Sequence, residues 1–132
     1  MYTYERVKDM QFIENTQDLE NLCNKLSNEE FVCVDLEFLR QHTYFAKLCL
    51  IQIASVNDEA IIDPLAENIN LQPFFDLMQN EKIVKVFHSG RQDIEIIYNA
   101  EVASSQSSTF GSVARARAMA TRCCWPPESW QG

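Results

Sequence analysis

The stretch FVCVDLEF, residues 31–38, sets two carboxylates among six apolar residues. So apolar a run predicts a central strand of an α/β sheet that is covered on both faces. Residues two apart on a strand share a face, so Asp35 and Glu37 point the same way, about 7 Å apart at their roots. Burying them requires positive charge nearby, and carboxylate oxygens are ligands that Mg²⁺ and Mn²⁺ prefer. The stretch therefore predicts a cation site; the alternative is that both acids lie at an exposed strand end.

The length and the charge restrict the classes of function. A chain of 132 residues is one domain at most and can bury a hydrophobic core. Its net charge of −8 argues against a generally basic surface for binding nucleic acid. An enzyme that acts on nucleic acid remains compatible with this charge, because cations held by acidic ligands can meet the phosphates.

Cysteine usage and hydropathy bear on the compartment. No apolar run is long enough to span a bilayer, and the first residues lack the basic-then-apolar order of a signal peptide. The five cysteines form no C-x-x-C pair. Cys23, Cys33 and Cys49 lie within apolar periodic stretches, which favours reduced core thiols over disulfides or a zinc site. We therefore expect a cytoplasmic protein.

Hydrophobic periodicity predicts strands and helices in the order β-α-βββ-α-β-α. The predicted strands are residues 10–15, 31–38, 47–55, 59–63 and 82–88; the predicted helices cover 17–26, 71–79 and a stretch from about residue 91. Turns too short for a helix join the three middle strands, which predicts an antiparallel meander. The order is similar to the opening of a ribonuclease H-like fold, an α/β class with a mixed sheet and flanking helices.

The composition changes near residue 100. Leu, Ile, Asn and Lys supply 34 of the first 100 residues and none of the last 32. We predict that residues 1–100 are the N-terminal part of one folded domain and that residues 101–132 form an atypical tail. A shift of coding frame near residue 100 would explain the tail, and a serine-rich linker is the alternative.

A third carboxylate follows the last predicted strand. Asp93 lies in FHSGRQDIE, residues 87–95, at the start of a predicted helix, and the small residues before it allow a sharp turn. Asp93 is therefore a candidate to join Asp35 and Glu37. The alternative is an ordinary acid that favours a helix N-terminus.

Four motifs together carry a resemblance to a known family. VDxEF at 34–38, LxLIQI at 48–53, IIDPL at 61–65 and FHSGRQDIE at 87–95 occur in that order. Over residues 10–100 the sequence resembles ribonuclease D, a 3′–5′ exonuclease of the DEDD superfamily and of its DEDDy type. Asp35 and Glu37 match the first family motif, and Asp93 matches the acid of the second.

The resemblance implies a mechanism and a substrate. Two divalent ions, Mg²⁺ or Mn²⁺, about 4 Å apart, would activate a water and stabilise the leaving oxygen of a phosphodiester. Asp35 would bridge the ions, and Glu37 and Asp93 would each hold one. Leu36 and Phe38 would pack on the terminal nucleotide, and His88 either contacts substrate or is structural. The implied substrate is the single-stranded 3′ end of RNA, such as a tRNA precursor.

One family motif does not occur in this sequence. Tyr-x-x-x-Asp is expected after the second motif, but Tyr98 has Val102 four residues on, and no other tyrosine lies beyond Asp93. We therefore expect a domain truncated after the second motif, with impaired activity. The alternatives are a non-catalytic remnant of the same fold and, more distantly, a Mg²⁺-binding phosphoacceptor domain. In the latter, Asp63 would be phosphorylated beside Lys85 in a parallel sheet.

Overall fold

A computed structural model describes residues 10–40, 46–88 and 90–104. Five strands and three helices occur in the predicted order β-α-βββ-α-β-α. The strands are β1 (Gln11–Ile13), β2 (Phe31–Leu39), β3 (Lys47–Ala54), β4 (Glu59–Ile62) and β5 (Val84–Phe87). The helices are α1 (Thr16–Leu26), α2 (Gln72–Gln79) and α3 (Gly90–Ser104).

The strands form one mixed sheet in the spatial order β1-β4-β3-β2-β5. β2, β3 and β4 are an antiparallel meander, whereas β1 pairs with β4, and β5 with β2, in parallel. The predicted mixed α/β sheet with flanking helices is confirmed. The meander also conflicts with the parallel sheet that a phosphoacceptor domain requires. Asp63 instead forms a turn, since its Oδ1 accepts a hydrogen bond from the Leu65 amide at 2.9 Å.

The prediction that β2 is covered on both faces is wrong. Burial alternates along the strand: Val32, Val34 and Leu36 are buried, while Phe31, Cys33, Asp35 and Glu37 are exposed. β2 thus has one dry face and one face open to solvent among the described residues. The sequence could not reveal this, because valine, phenylalanine and cysteine occupy both faces of the strand.

The same alternation runs across the neighbouring strands. In the β2–β3 register Val34 faces Ile53 and Leu36 faces Ile51, and all four side chains are buried. These residues join the buried apolar side chains of α1, α2 and α3 in a single hydrophobic cluster. The described helices therefore cover the same face of the sheet, and the opposite face carries Asp35 and Glu37.

Local signals in the sequence explain where the first two helices start. Asn15 caps α1 by accepting a hydrogen bond from the Asp18 amide at 2.9 Å, and asparagine is one of the residues that N-caps favour. α2 begins one residue later than expected, with Leu71 at its N-cap. Asn70, the residue before Leu71, still serves the start of α2, because its side chain accepts a hydrogen bond from the Gln72 amide at 3.0 Å.

α3 extends to Ser104, four residues past the predicted boundary at residue 100. Glu101 is buried, and the Ser104 hydroxyl donates a hydrogen bond to the Glu101 carbonyl at 2.9 Å. Residues 105–132 lie outside the described part of the chain, so the division into a domain and an atypical tail stays a prediction.

The expectation of three core thiols is only partly correct. Cys23, Cys33 and Cys49 are free, but Cys33 is exposed and Cys49 is half-buried. Only Cys23 points into the core, because Cys33 lies on the open face of β2. Among the described residues, no helix has the length and apolar character needed to cross a membrane.

Shortening a side chain to alanine should lower the free energy of unfolding more on the buried face of β2 than on its open face. Leu36→Ala removes a side chain that is 5% exposed and should lower the free energy of unfolding by about 2–5 kcal/mol. Cys33→Ala, on the open face of the same strand, should change it by less than about 0.5 kcal/mol. Urea unfolding of both variants checks this. Equal losses would mean that β2 does not alternate as described.

Candidate functional site

The candidate site is built on the open face of β2. Asp35 and Glu37 are exposed and share this face, as the spacing on a strand predicts. β2 lies between β3 and β5. Its ladder with β5 ends at the Val34–Phe87 pair, so both carboxylates lie on the part of β2 that pairs with β3 alone among the described strands. A rigid strand holds their backbone positions fixed with respect to each other.

Strand pairing surrounds Asp35 with defined neighbours. Gln52 of β3 is its partner in the antiparallel ladder. On the other side, Phe87 of β5 pairs with Val34, so His88, the next residue, continues β5 alongside Asp35. Asp35, Gln52 and His88 all line an open cleft of about 480 Å³. Cys33 and Glu59 line the same cleft, together with apolar residues of the neighbouring strands.

Glu37 is the last residue before an irregularity in the β2–β3 ladder. The register shifts between Glu37 and Phe38, so that Glu37 pairs with Leu50 whereas Phe38 pairs with Leu48. Such bulges re-aim neighbouring side chains and are frequent next to active sites. Glu37 does not line the cleft that Asp35 lines. The two carboxylates therefore lie beside neighbouring parts of the open face.

Asp93 has a different environment from the other two acids. It lies in the first turn of α3 and is only 2% exposed, whereas Asp35 and Glu37 are exposed. Among the described residues, no three histidine, cysteine, aspartate or glutamate side chains lie close enough to hold a metal ion. The structure thus brings Asp35 and Glu37 to one face but does not assemble them with Asp93 into a three-ligand group.

The predicted substrate contacts are also separated. His88 is exposed in the cleft next to Asp35. Phe38 is half-buried against the core. Leu36 is buried on the helix-covered face, so its side chain belongs to the core and only its backbone runs between the two carboxylates. Of the three residues, His88 has the side chain best placed to reach a ligand of Asp35.

Burial makes Cys23 of α1 chemically different from Cys33, which lines the cleft. Desolvation, and secondarily the charge of Asp76, raises the pKa of the Cys23 thiol from 9.0 to about 12. Cys23 is therefore a neutral, unreactive thiol at ordinary pH. Cys33 is exposed in the cleft two residues before Asp35.

A family model for a 3′–5′ exonuclease matches residues 10–124. The chain belongs to this exonuclease family. Ribonuclease D of Bartonella henselae is 53% identical over 90 residues, which are 68% of this chain and 22% of that protein. The chain thus spans less than a quarter of that relative. The expected ribonuclease D-like family and ribonuclease H-like exonuclease fold are confirmed.

Solved structures of this family share the fold. Escherichia coli RNase D, described as an exoribonuclease involved in structured RNA processing, matches with a TM-score of 0.64 and 30% identity. The match covers 78% of this chain and 25% of the E. coli chain. Trypanosoma brucei RNase D in complex with RNA U12 matches with a TM-score of 0.55 over 64% of this chain and 31% of that one. At 16% identity, this second likeness shows the fold alone.

Exonucleases of this family generally depend on divalent metal ions, and the donor chemistry of the open face fits such ions. Asp35 and Glu37 offer hard carboxylate oxygens on one side of one strand, where solvent and a cation can reach them. The two carboxylates therefore fit one wall of a cation site.

Sequence reasoning missed Gln52, Glu59 and Cys33 as residues of the cleft. Gln52 is the ladder partner of Asp35, and the polar interruption in LCLIQIA was the available signal. Glu59 comes to line the cleft because β4 pairs with β3, with Glu59 opposite Ala54. Since pairing registers are set by tertiary contacts, a single strand pattern could not identify either residue.

The difference between the two thiols can be measured by alkylation. At pH 8, iodoacetamide should modify Cys33 at least 10-fold faster than Cys23, because Cys23 is buried and its pKa is about 12. The two cysteines fall in different tryptic peptides, so mass spectrometry reads them separately. In denaturant the two rates should converge; equal rates in the native protein would contradict the described burial.

Proposed function

We propose that this chain carries the first two catalytic motifs of a metal-dependent 3′–5′ exoribonuclease. One observation carries the proposal: Asp35 and Glu37, which match the first family motif, lie exposed on one face of β2, just past the end of its ladder with β5. Two ionised carboxylates on one accessible face offer the hard oxygen ligands that a divalent cation prefers. Membership of the 3′–5′ exonuclease family supports the cation.

In this proposal each acid has a separate task. Asp35, next to His88 and Gln52, would be the central ligand, and Glu37 would hold an ion, with its other oxygen near the attacking water. Asp93 would be the third ligand, from the start of α3. Divalent ions bound there would lower the pKa of a water and neutralise charge on the phosphate. Asp35, Glu37 and Asp93 are thus proposed as both metal-binding and catalytic residues.

Substrate contacts would come from the rim of the same site. His88 is placed to donate a hydrogen bond to a phosphate oxygen, since it continues β5 beside Asp35. Phe38 and the backbone of Leu36 would lie against the terminal nucleotide. The proposed substrate is the single-stranded 3′ end of RNA, including tRNA precursors. Support comes from E. coli RNase D, an exoribonuclease involved in structured RNA processing.

The setting proposed for this activity is the cytoplasm. Cys23, Cys33 and Cys49 are all free. Free thiols, one of them exposed, are typical of a reducing compartment. RNA precursors of the proposed kind are found there.

A non-catalytic remnant of the fold is the second candidate. The specific observation in its favour is that the described residues contain no three-ligand group, and the sequence contains no Tyr-x-x-x-Asp. Such a protein would bind a cation through Asp35 and Glu37 without turnover. Metal binding and hydrolysis therefore need separate measurements.

Metal binding tests the role of the two strand carboxylates. Asp35→Asn or Glu37→Gln should weaken Mn²⁺ binding at least 10-fold in isothermal titration, because each change removes a charged ligand. Asp63→Asn is the matched control, since its side chain serves a turn through an oxygen that asparagine retains. The metal-site assignment fails if all three variants bind Mn²⁺ as the wild type does.

Turnover separates the enzyme from the remnant. We expect Mn²⁺-dependent release of mononucleotides from the 3′ end of an RNA oligomer by B. henselae ribonuclease D, and little or none by this chain. The reason is that this sequence lacks the third family motif. Robust release by the 132-residue chain, abolished by Asp35→Asn, would refute the expected impairment and support the enzyme.

The acidic charge gives a further prediction for RNA binding. With a net charge of −8, the protein repels phosphates unless cations intervene. Anisotropy of a fluorescent RNA should therefore report binding with Mn²⁺ and at least 10-fold weaker binding with EDTA. Undiminished binding in EDTA would contradict a cation-bridged interface.

A further inference from the structure

Two oppositely charged side chains are buried where α2 ends. Lys85 of β5 and Glu101 of α3 are each only 4% exposed, although both residue types normally lie in water. The Lys85 ammonium donates a hydrogen bond to the Asn80 carbonyl. The Glu101 carboxylate accepts one from the Gln79 amide group at 2.6 Å. We call these four residues the α2 junction.

Electrostatics explains why the charged groups of Lys85 and Glu101 are both buried near the end of α2. Gln79 and Asn80 are consecutive residues at the end of α2, so Lys85 and Glu101 are held at neighbouring points. The C-terminal end of a helix carries partial negative charge, which favours the ammonium of Lys85 there. An ammonium would in turn stabilise a carboxylate buried near it. A pairing of Lys85 with Glu101 would therefore offset the cost of burying each charge singly.

The geometry of α3 connects the α2 junction with Asp93. Asp93, Ile97 and Glu101 are spaced by four residues and are all buried. At about 100° per residue, Asp93 and Glu101 differ by about 80° around the helix axis, so both belong to its buried side. The hydrogen bond of Glu101 thus restrains the rotation and the axial position of the helix whose first turn carries Asp93.

We propose that Lys85 and Glu101 act as a buried charge pair that locks the register of α3, and that Glu101 is a positioning residue for Asp93. The pair itself does not depend on the nuclease assignment. The positioning of Asp93 for a metal ion rests on the proposed function. Isoleucine contacts alone would allow α3 to slide, since apolar packing is non-directional, whereas a buried hydrogen bond fixes one position.

A double-mutant cycle in urea tests the charge pair. Lys85→Met and Glu101→Gln each leave the opposite charge buried alone, whereas the double variant leaves neither. We expect each single variant to lower the unfolding midpoint, and the double variant to lose clearly less than the sum of the two. Additive losses would overturn the pair.

Mn²⁺ affinity tests the positioning of Asp93. Glu101→Ala and Gln79→Leu, which remove the hydrogen bond, should weaken Mn²⁺ binding about 3- to 10-fold, corresponding to about 0.6–1.4 kcal/mol. Glu101→Gln, which keeps an acceptor for Gln79, should bind closer to the wild type. Leu22→Ala, a core truncation in α1, is the control that lowers stability without touching α3.

The outcomes separate the two proposals. Unchanged Mn²⁺ affinity in Glu101→Ala and Gln79→Leu would overturn the positioning role, as would an equal loss in Leu22→Ala. If the wild type does not bind Mn²⁺ at all, the proposed function is wrong. The positioning role of Glu101 is then wrong too, because it presupposes a metal ion at Asp93. The urea cycle would in that case still decide whether the charge pair exists.

Discussion

Side chains along β2 alternate between a dry face and an open face, and the rest of the molecule is arranged around that alternation. Val32, Val34 and Leu36 reach the hydrophobic cluster shared with the helices. Asp35 and Glu37 point the other way, where water solvates them. The strand that contributes Val32, Val34 and Leu36 to the core is therefore also the strand that presents Asp35 and Glu37.

Charged side chains are exposed on one side of the sheet and buried on the other. On the open face, Asp35 and Glu37 stay exposed, so their ionised forms cost little in the absence of a ligand. On the covered face, Lys85 and Glu101 are buried and held by polar groups at the end of α2. Exposed charge suits exchangeable ligands, whereas buried charge suits fixed geometry. Asp93, at the start of α3, is buried like Lys85 and Glu101, although it is the third acid of the proposed site.

The sequence predicted the element order and the local signals well. Asn15 caps α1, and the short turns between residues 38 and 63 correctly indicated the antiparallel meander. These features depend on neighbours in the chain. The sequence did not predict the open face, since Phe31 and Cys33 are as apolar as the residues that face the core. Which face is covered depends on elements far away in the sequence.

The candidate site shows the same division. The spacing of Asp35 and Glu37 sufficed to place them on one face, because a strand has a strict period of two. It gave no information on the burial of Asp93 or the burial of the Leu36 side chain. Both depend on how α3 and the sheet pack. Family resemblance supplied the roles of these residues, and the coordinates supply their environments.

The pairing of β2 with β3 has a consequence for folding fidelity. If β2 slipped by one residue, Asp35 and Glu37 would enter the core, and Leu36 would be displaced into water. Two ionised carboxylates in an apolar interior are far more costly than a lost methyl contact. The two acids thus disfavour a one-residue slip of the β2–β3 hairpin, whether or not a ligand is bound to them.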